Sequence, residues 1–168
     1  MSAQEMGYRD IADIIRSAGT GPQAGCRELF SRMVFNILID NTDDHEKNHA
    51  FLMKAGRWEL SPAFDLQPQL QGLGYQQLRV GKQGSVSSLA NAVSEAGRFM
   101  LKPEQAITLA SGIAACVADW ASHFTKHGVS QADIAACKRF ILRPELVDLR
   151  SQVRAVAADR RNDGKPHP

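Results

Sequence analysis

Between Leu29 and Leu60 the chain changes its hydrophobic period, and ten consecutive polar residues make the change. Leu29, Phe30, Met33, Val34, Ile37 and Leu38 recur at three- and four-residue spacing, which places them on one face of a helix running to about Asp40. Beyond the change, Phe51-Leu52-Met53 and Trp58-Glu59-Leu60 flank Ala55-Gly56-Arg57, the pattern of a β-hairpin about a short turn. The segment between them, Asp40-Asn41-Thr42-Asp43-Asp44-His45-Glu46-Lys47-Asn48-His49, carries four carboxylates, two histidines and two asparagines. Whatever the fold, a helix delivers this polar loop and a hairpin closes it.

Helical periodicity dominates the remainder. Ile11, Ile14 and Ile15 give a short stripe that ends at Gly19 and Gly21-Pro22. Ser85 to Met100 reads as a further helix, with Ser85 as its cap and Leu89, Val93, Ala96 and Phe99 on one face. From Pro103, the series Ile107, Ala110, Ile113, Val117, Trp120 and Phe124 predicts one helix stopped by Gly128. Ser130 with Asp133 caps the next, which reaches Leu142 before Pro144. Leu146, Leu149, Val153 and Val156 mark the last. A weak strand is expected at Gln77–Val80, before the Gly81–Gly84 loop. The expectation is a mainly α domain of about six helices with a small β-hairpin, spanning residues 1–158, and a disordered polar tail over 159–168.

Charge and composition exclude some functions. The net charge is +2 with the basic residues dispersed, so no electrostatic footprint for direct nucleic-acid binding is present. No apolar run approaches the roughly 20 residues needed to span a bilayer, so no membrane partner is expected. The first residues, Met1 to Glu5, lack the basic and apolar regions of a secretory signal, and the three cysteines are odd in number and widely spaced. A cytoplasmic protein with reduced thiols is expected. His123 and His127 are four apart on a helix with no third ligand nearby, which reads as a solvated helix end.

Three chemical templates meet the polar loop. A calcium loop started at Asp40 puts His45 where glycine must turn and Phe51 where a bidentate glutamate belongs, so it fails. His45-Glu46-Lys47-Asn48-His49 matches the H-E-x-x-H of zinc peptidases, which needs a continuous helix to place both histidines on one face. Asn41, Thr42, Asp43 and Asp44 favour caps and turns just before it, and a β-like run follows. The third template is phosphoryl transfer, which asks for an Asp, an Asn five residues later, and a second Asp after a hairpin. Asp43, Asn48 and Asp65 meet that order.

Phe35-Asn36-Ile37-Leu38-Ile39, then Asn41-Thr42-Asp43-Asp44-His45-Glu46-Lys47-Asn48, then Leu60-Ser61-Pro62-Ala63-Phe64-Asp65-Leu66 resemble the HipA-like kinase family. These are bacterial Ser/Thr kinases, usually the toxin halves of toxin–antitoxin pairs, with a pattern close to N-T-D-x-H-x-K-N followed by L-[ST]-P-x-[FY]-D. The likeness is specific over about residues 8–70 and looser through Trp120. The resemblance implies a kinase-like C-terminal lobe in which Asp43 is the catalytic base and Asn48 and Asp65 hold Mg²⁺ against ATP. It gives His45 and Lys47 supporting places in the loop, His45 ordering it and Lys47 neutralising phosphate or substrate charge. The implied partners are a helix-turn-helix antitoxin and a protein substrate, of which aminoacyl-tRNA synthetases are the family's usual ones.

The family's β-rich N-terminal lobe, with its phosphate-binding loop and nucleotide-pairing Lys, has no match here. Neither G-x-x-x-x-G-K-[ST] nor G-x-G-x-x-G occurs. An N-terminal kinase lobe, as a missing segment or a separate chain, is therefore an expected partner, and the chain alone is expected to be inactive. A non-catalytic remnant or binding module of the same fold is the alternative, and a zinc peptidase a more distant one. The loop is expected to be exposed, so that substitutions within it cost little stability.

Overall fold

The computed structural model describes residues 6–151. It is a mainly α domain with one small antiparallel sheet. The named helices are α1 (Tyr8–Ala18), α2 (Pro22–Ile39), α3 (Leu89–Ser94), α4 (Pro103–Ala118), α5 (Trp120–Lys126) and α6 (Gln131–Ile141), and residues 144–151 are again helical. Strands β1 (Phe51–Lys54) and β2 (Arg57–Leu60) form the hairpin, with Phe51 opposite Leu60 and Lys54 opposite Arg57. The tail over 159–168, and Val153 and Val156 of the last expected helix, lie outside the described residues.

Helix α2 is the axis of the molecule. Leu29, Phe30, Met33, Val34 and Leu38 are fully buried, and Cys26 and Asn36 with them, so the helix is covered on nearly all sides. Tyr8, Ile11 and Ile15 of α1 pack on it from one side, and Ala106, Ala110, Ala114 and Val117 of α4 from another. The buried stripe of α4 is thus its small residues, while Ile107 and Ile113 are half-buried. Phe30 meets Phe99 edge to face at 5.4 Å between ring centroids.

Three expected elements differ. The helix from Pro103 does not run to Gly128 but breaks at Asp119, because its apolar series serves two cores. Val117 belongs to the main core, whereas Trp120 packs in a second cluster with Ile134 and Ile141. The helix expected from Ser85 starts at Leu89, capped by Ser88, whose Oγ accepts from the Asn91 amide. Buried Asn91 holds residues 83–86 as loop instead: its Oδ1 accepts from Gln83 N, and its Nδ2 donates to the carbonyls of Gly84 and Val86. Gln77–Val80 forms no regular strand. Leu78 and Val80 are buried, and the segment makes one parallel bridge, from Arg79 to Gly7.

That bridge requires a glycine. A Cβ on Gly7 would lie 2.8 Å from Arg79 Cβ and 2.9 Å from its carbonyl oxygen. The contact lets Tyr8 N–H donate to Arg79 O at 3.0 Å and Arg79 N–H to Met6 O at 3.2 Å. In the hairpin turn, Ala55 (φ 48°) and Gly56 (φ 76°) both adopt positive φ, as a two-residue turn matched to strand twist demands.

The C-terminal elements tie back to α2 through buried arginine. Arg150 donates to Ile141 O at 2.5 Å and to Leu38 O at 3.3 Å, satisfying carbonyls at the ends of α6 and α2. Its burial lowers the guanidinium pKa from the usual value. The three cysteines are free. His123 Nε2 lies 3.6 Å from Cys116 Sγ.

Candidate active site

Helix α2 ends in the left-handed conformation at Asp40 (φ 57°, ψ 42°), which turns the chain into the polar loop. Asp40 is structural. Its carboxylate pairs with Arg143 Nη2 at 2.6 Å, and its carbonyl accepts from the amides of Thr42 and Gln69.

The loop is not the exposed segment expected. Asn41, Thr42, Asp44, Asn48 and His49 are all buried, leaving Asp43, Glu46 and Lys47 exposed and His45 half-buried. The reason is a connected set of hydrogen bonds beneath it. Asn41 Nδ2 donates to Asn36 Oδ1 at 3.1 Å, and Asn36 Nδ2 to the Tyr8 hydroxyl at 3.2 Å. The Tyr8 hydroxyl donates to Asp44 Oδ2, and His49 Nε2 lies 3.0 Å from the same oxygen. The Tyr8 and His49 rings meet edge to face at 5.6 Å. Burial, and then the charge of Asp44, push the Tyr8 phenol well above its ordinary pKa. A polar network of this kind is favourable only when its members are paired, and here they are, apart from His49 Nδ1.

On this platform stand the expected site residues. His45 and Asn48 brace one another across a single 3₁₀ turn, Glu46–Asn48: Asn48 N–H donates to His45 O at 3.0 Å, and His45 N–H to Asn48 Oδ1 at 3.3 Å. Asn48 Nδ2 donates to Asp65 Oδ2 at 2.5 Å, joining two side chains 17 positions apart. Asp65 sits at φ 56°, its carbonyl accepting from Asn41 Nδ2 at 3.4 Å and its Oδ1 from Gln67 Nε2 at 2.9 Å. Asp43 points outward and accepts from Gln77 Nε2 at 3.2 Å on Oδ1. Lys47 makes no ion pair among the described residues.

His45 and His49 do not share a helical face. Both flanks of the 3₁₀ turn are extended, and His49 is committed to the buried Asp44. The zinc-peptidase reading lacks the helix it needs. Asn48 and Asp65, by contrast, stand side by side, an amide and a carboxylate whose oxygens are the hard donor type suited to Mg²⁺ completed by phosphate and water. Here the amide turns its nitrogen to Asp65 and its oxygen to His45 N–H.

Sequence reasoning missed several supports. Arg32, buried in α2, donates to Ser61 O at 2.6 Å and so fixes the start of the Ser61–Asp65 stretch. Tyr8, Asn36 and Gln77 were also unread as site residues. A tyrosine on the same face as Ile11 and Ile15 was the available signal, since a hydroxyl on a buried face needs a partner.

Comparison with known proteins adds the following. Residues 1–121 match the family model described as HipA-like C-terminal domain. No curated protein matches the chain in sequence. Among solved structures, HipA in the toxin–antitoxin complex of HipA, HipB and operator DNA from Shewanella oneidensis MR-1 superposes with a TM-score of 0.62 at 15% identity. The match covers 92% of this chain and 35% of that one, a likeness of fold over about a third of the neighbour's length.

Proposed function

The chain belongs to the HipA-like C-terminal domain family, and from that premise we propose that it is the catalytic lobe of a protein Ser/Thr kinase completed by an N-terminal nucleotide-binding lobe. The observation that carries the reading is the contact between Asn48 and Asp65, which brings two oxygen-bearing side chains together beside the loop that bears Asp43. Mg²⁺ held there would neutralise charge on the ATP phosphates. The chain's own residues do the rest. Asp43, exposed at the loop surface, accepts the proton of the Ser or Thr hydroxyl as its oxygen bonds the γ-phosphorus and ADP leaves. The buried network fixes the loop, so that little reorganisation accompanies the step. Exposed Lys47 supplies positive charge next to the loop, and His45 orders the turn that carries Asn48.

The same reading gives the chain a helix-turn-helix antitoxin as partner, by analogy with the HipB of the structural neighbour, and a protein substrate such as an aminoacyl-tRNA synthetase, in the cytoplasm. Among the described residues no helix is long and apolar enough to cross a membrane. The test is transfer of labelled phosphate from ATP. The chain combined with an N-terminal lobe should phosphorylate protein hydroxyls, and Asp43→Ala, Asn48→Ala and Asp65→Ala should each abolish it with the helical signal intact. Transfer that survives all three substitutions refutes the reading.

A further inference from the structure

We infer that Gln77 is a positioning residue for Asp43, held in place by Tyr8; the inference rests on the kinase reading and extends it to residues outside the recognised motif. Gln77 donates its amide to Asp43 Oδ1 and leaves Oδ2 without a partner among the described residues. One carboxylate oxygen is thereby anchored and the other turned out, which is what a base must present to an incoming hydroxyl.

An exposed glutamine is a useful anchor only if its backbone is fixed, and this one is. Gln76, its neighbour, is buried, with its N–H on Ser85 O at 2.8 Å and its Nε2 on Ser87 Oγ at 2.8 Å. Leu78 and Val80 are buried on the other side, and Arg79 is bridged to Gly7 and Tyr8. Tyr8 closes the circuit. Its backbone N–H holds Arg79, two positions from Gln77, and its hydroxyl holds Asp44, the residue after Asp43. A single residue of α1 therefore sets the spacing between the base and the amide that orients it.

The test is kinetic, in the chain combined with an N-terminal lobe. Gln77→Leu keeps the bulk of the side chain and removes the donor, at an exposed position where folding is not at risk. The kcat for phosphotransfer should fall about three- to tenfold, the range for losing one hydrogen bond, with KM for ATP and the Mg²⁺ dependence unchanged. Gln77→Glu, which sets a second carboxylate against Asp43, should lower kcat further than Gln77→Leu. Parental kcat in Gln77→Leu, or a loss expressed in KM for ATP, would overturn the inference. Asp43→Asn in parallel separates the two claims. If it retains transfer, or the parent transfers nothing, the kinase reading fails and takes the inference with it. If it abolishes transfer while Gln77→Leu is silent, only the inference fails.

Discussion

The Tyr8 hydroxyl, in the first turn of α1, donates to the carboxylate of Asp44 in the polar loop, 36 positions along the chain. Both groups are fully buried, and His49 and Asn36 complete the set. The loop is therefore part of the core on its inner side, and its outer side alone, Asp43, Glu46 and Lys47, is free to meet a substrate. Alternation of buried and exposed residues within one short loop separates the work of holding it from the work of chemistry.

Adjacent aspartates should then respond oppositely. Asp44→Ala leaves the Tyr8 hydroxyl and His49 Nε2 without their shared acceptor, and should cost about 1–3 kcal/mol of stability. Asp43→Ala touches only an exposed hydrogen bond and should stay within about 0.5 kcal/mol of the parent. Urea unfolding of the two variants checks this directly. Equal loss in both would mean that the inner and outer faces of the loop are not distinct.

Tyr8 also predicts an alkaline limit. Its phenol is raised well above the ordinary value by burial and by Asp44, so the folded state resists losing that proton while the unfolded chain releases it near pH ~10. The sign follows from linkage: the contribution is complete below about pH 10 and is lost as the pH climbs from there through the folded value. From about pH 10 upward, stability should fall more steeply for the parent than for Tyr8→Phe. Tyr8→Phe should cost about 1–2 kcal/mol at neutral pH, because Asn36 Nδ2 loses its acceptor and Asp44 one of its two hydrogen bonds, His49 remaining. Parallel stability curves for parent and variant would remove Tyr8 as the titrating group.

The three- and four-residue spacing of Leu29 to Leu38 made α2 legible because burial there follows the helical period. The hairpin was legible from short apolar runs about Ala55-Gly56, a turn signal rather than a burial pattern, since its strands are mostly exposed. The break at Asp119 was hidden, since Val117 and Trp120 continue one apolar series while packing in different clusters. Ser88 rather than Ser85 caps α3 because of Asn91, a buried amide whose contacts to residues 83–86 no local pattern reveals. At the site, Asn48 and Asp65 could be paired from their order around the hairpin. The burial of Asn41, Asp44 and His49 could not, because their partners lie on α1 and α2 and polar residue types alone read as surface.

Arg143 gives a longer-range test. It lies 103 positions from Asp40, beyond the 1–121 family match, yet its guanidinium holds the carboxylate at the exit of α2. Both side chains are largely buried, so removing one partner strands the other's charge away from water. Arg143→Ala should destabilise the chain by about 2–4 kcal/mol. The double variant Arg143→Ala with Asp40→Asn should recover part of that loss, since no unpaired charge then remains. A double variant as unstable as the sum of the single changes would show that the two residues do not interact.

The hairpin turn offers a gain. Ala55 is held at φ 48°, a left-handed conformation that costs an L-residue with a simple Cβ about 1 kcal/mol and that asparagine and glycine tolerate better. Gly56 beside it already meets its own requirement at φ 76°, so Ala55→Asn creates the Asn-Gly pair preferred for such turns. Ala55 is exposed, and no packing is lost by the change. Ala55→Asn should therefore raise stability by about 0.5–1 kcal/mol, read as a later denaturant midpoint with an unchanged slope. Because β2 is bonded to the α1–α2 connection through Thr20 N–H and Trp58 O, the gain should register in global unfolding rather than in local fraying of the hairpin. A midpoint that stays put, with slower hydrogen exchange confined to residues 51–60, would show the hairpin to open on its own and to contribute nothing to the cooperative unit.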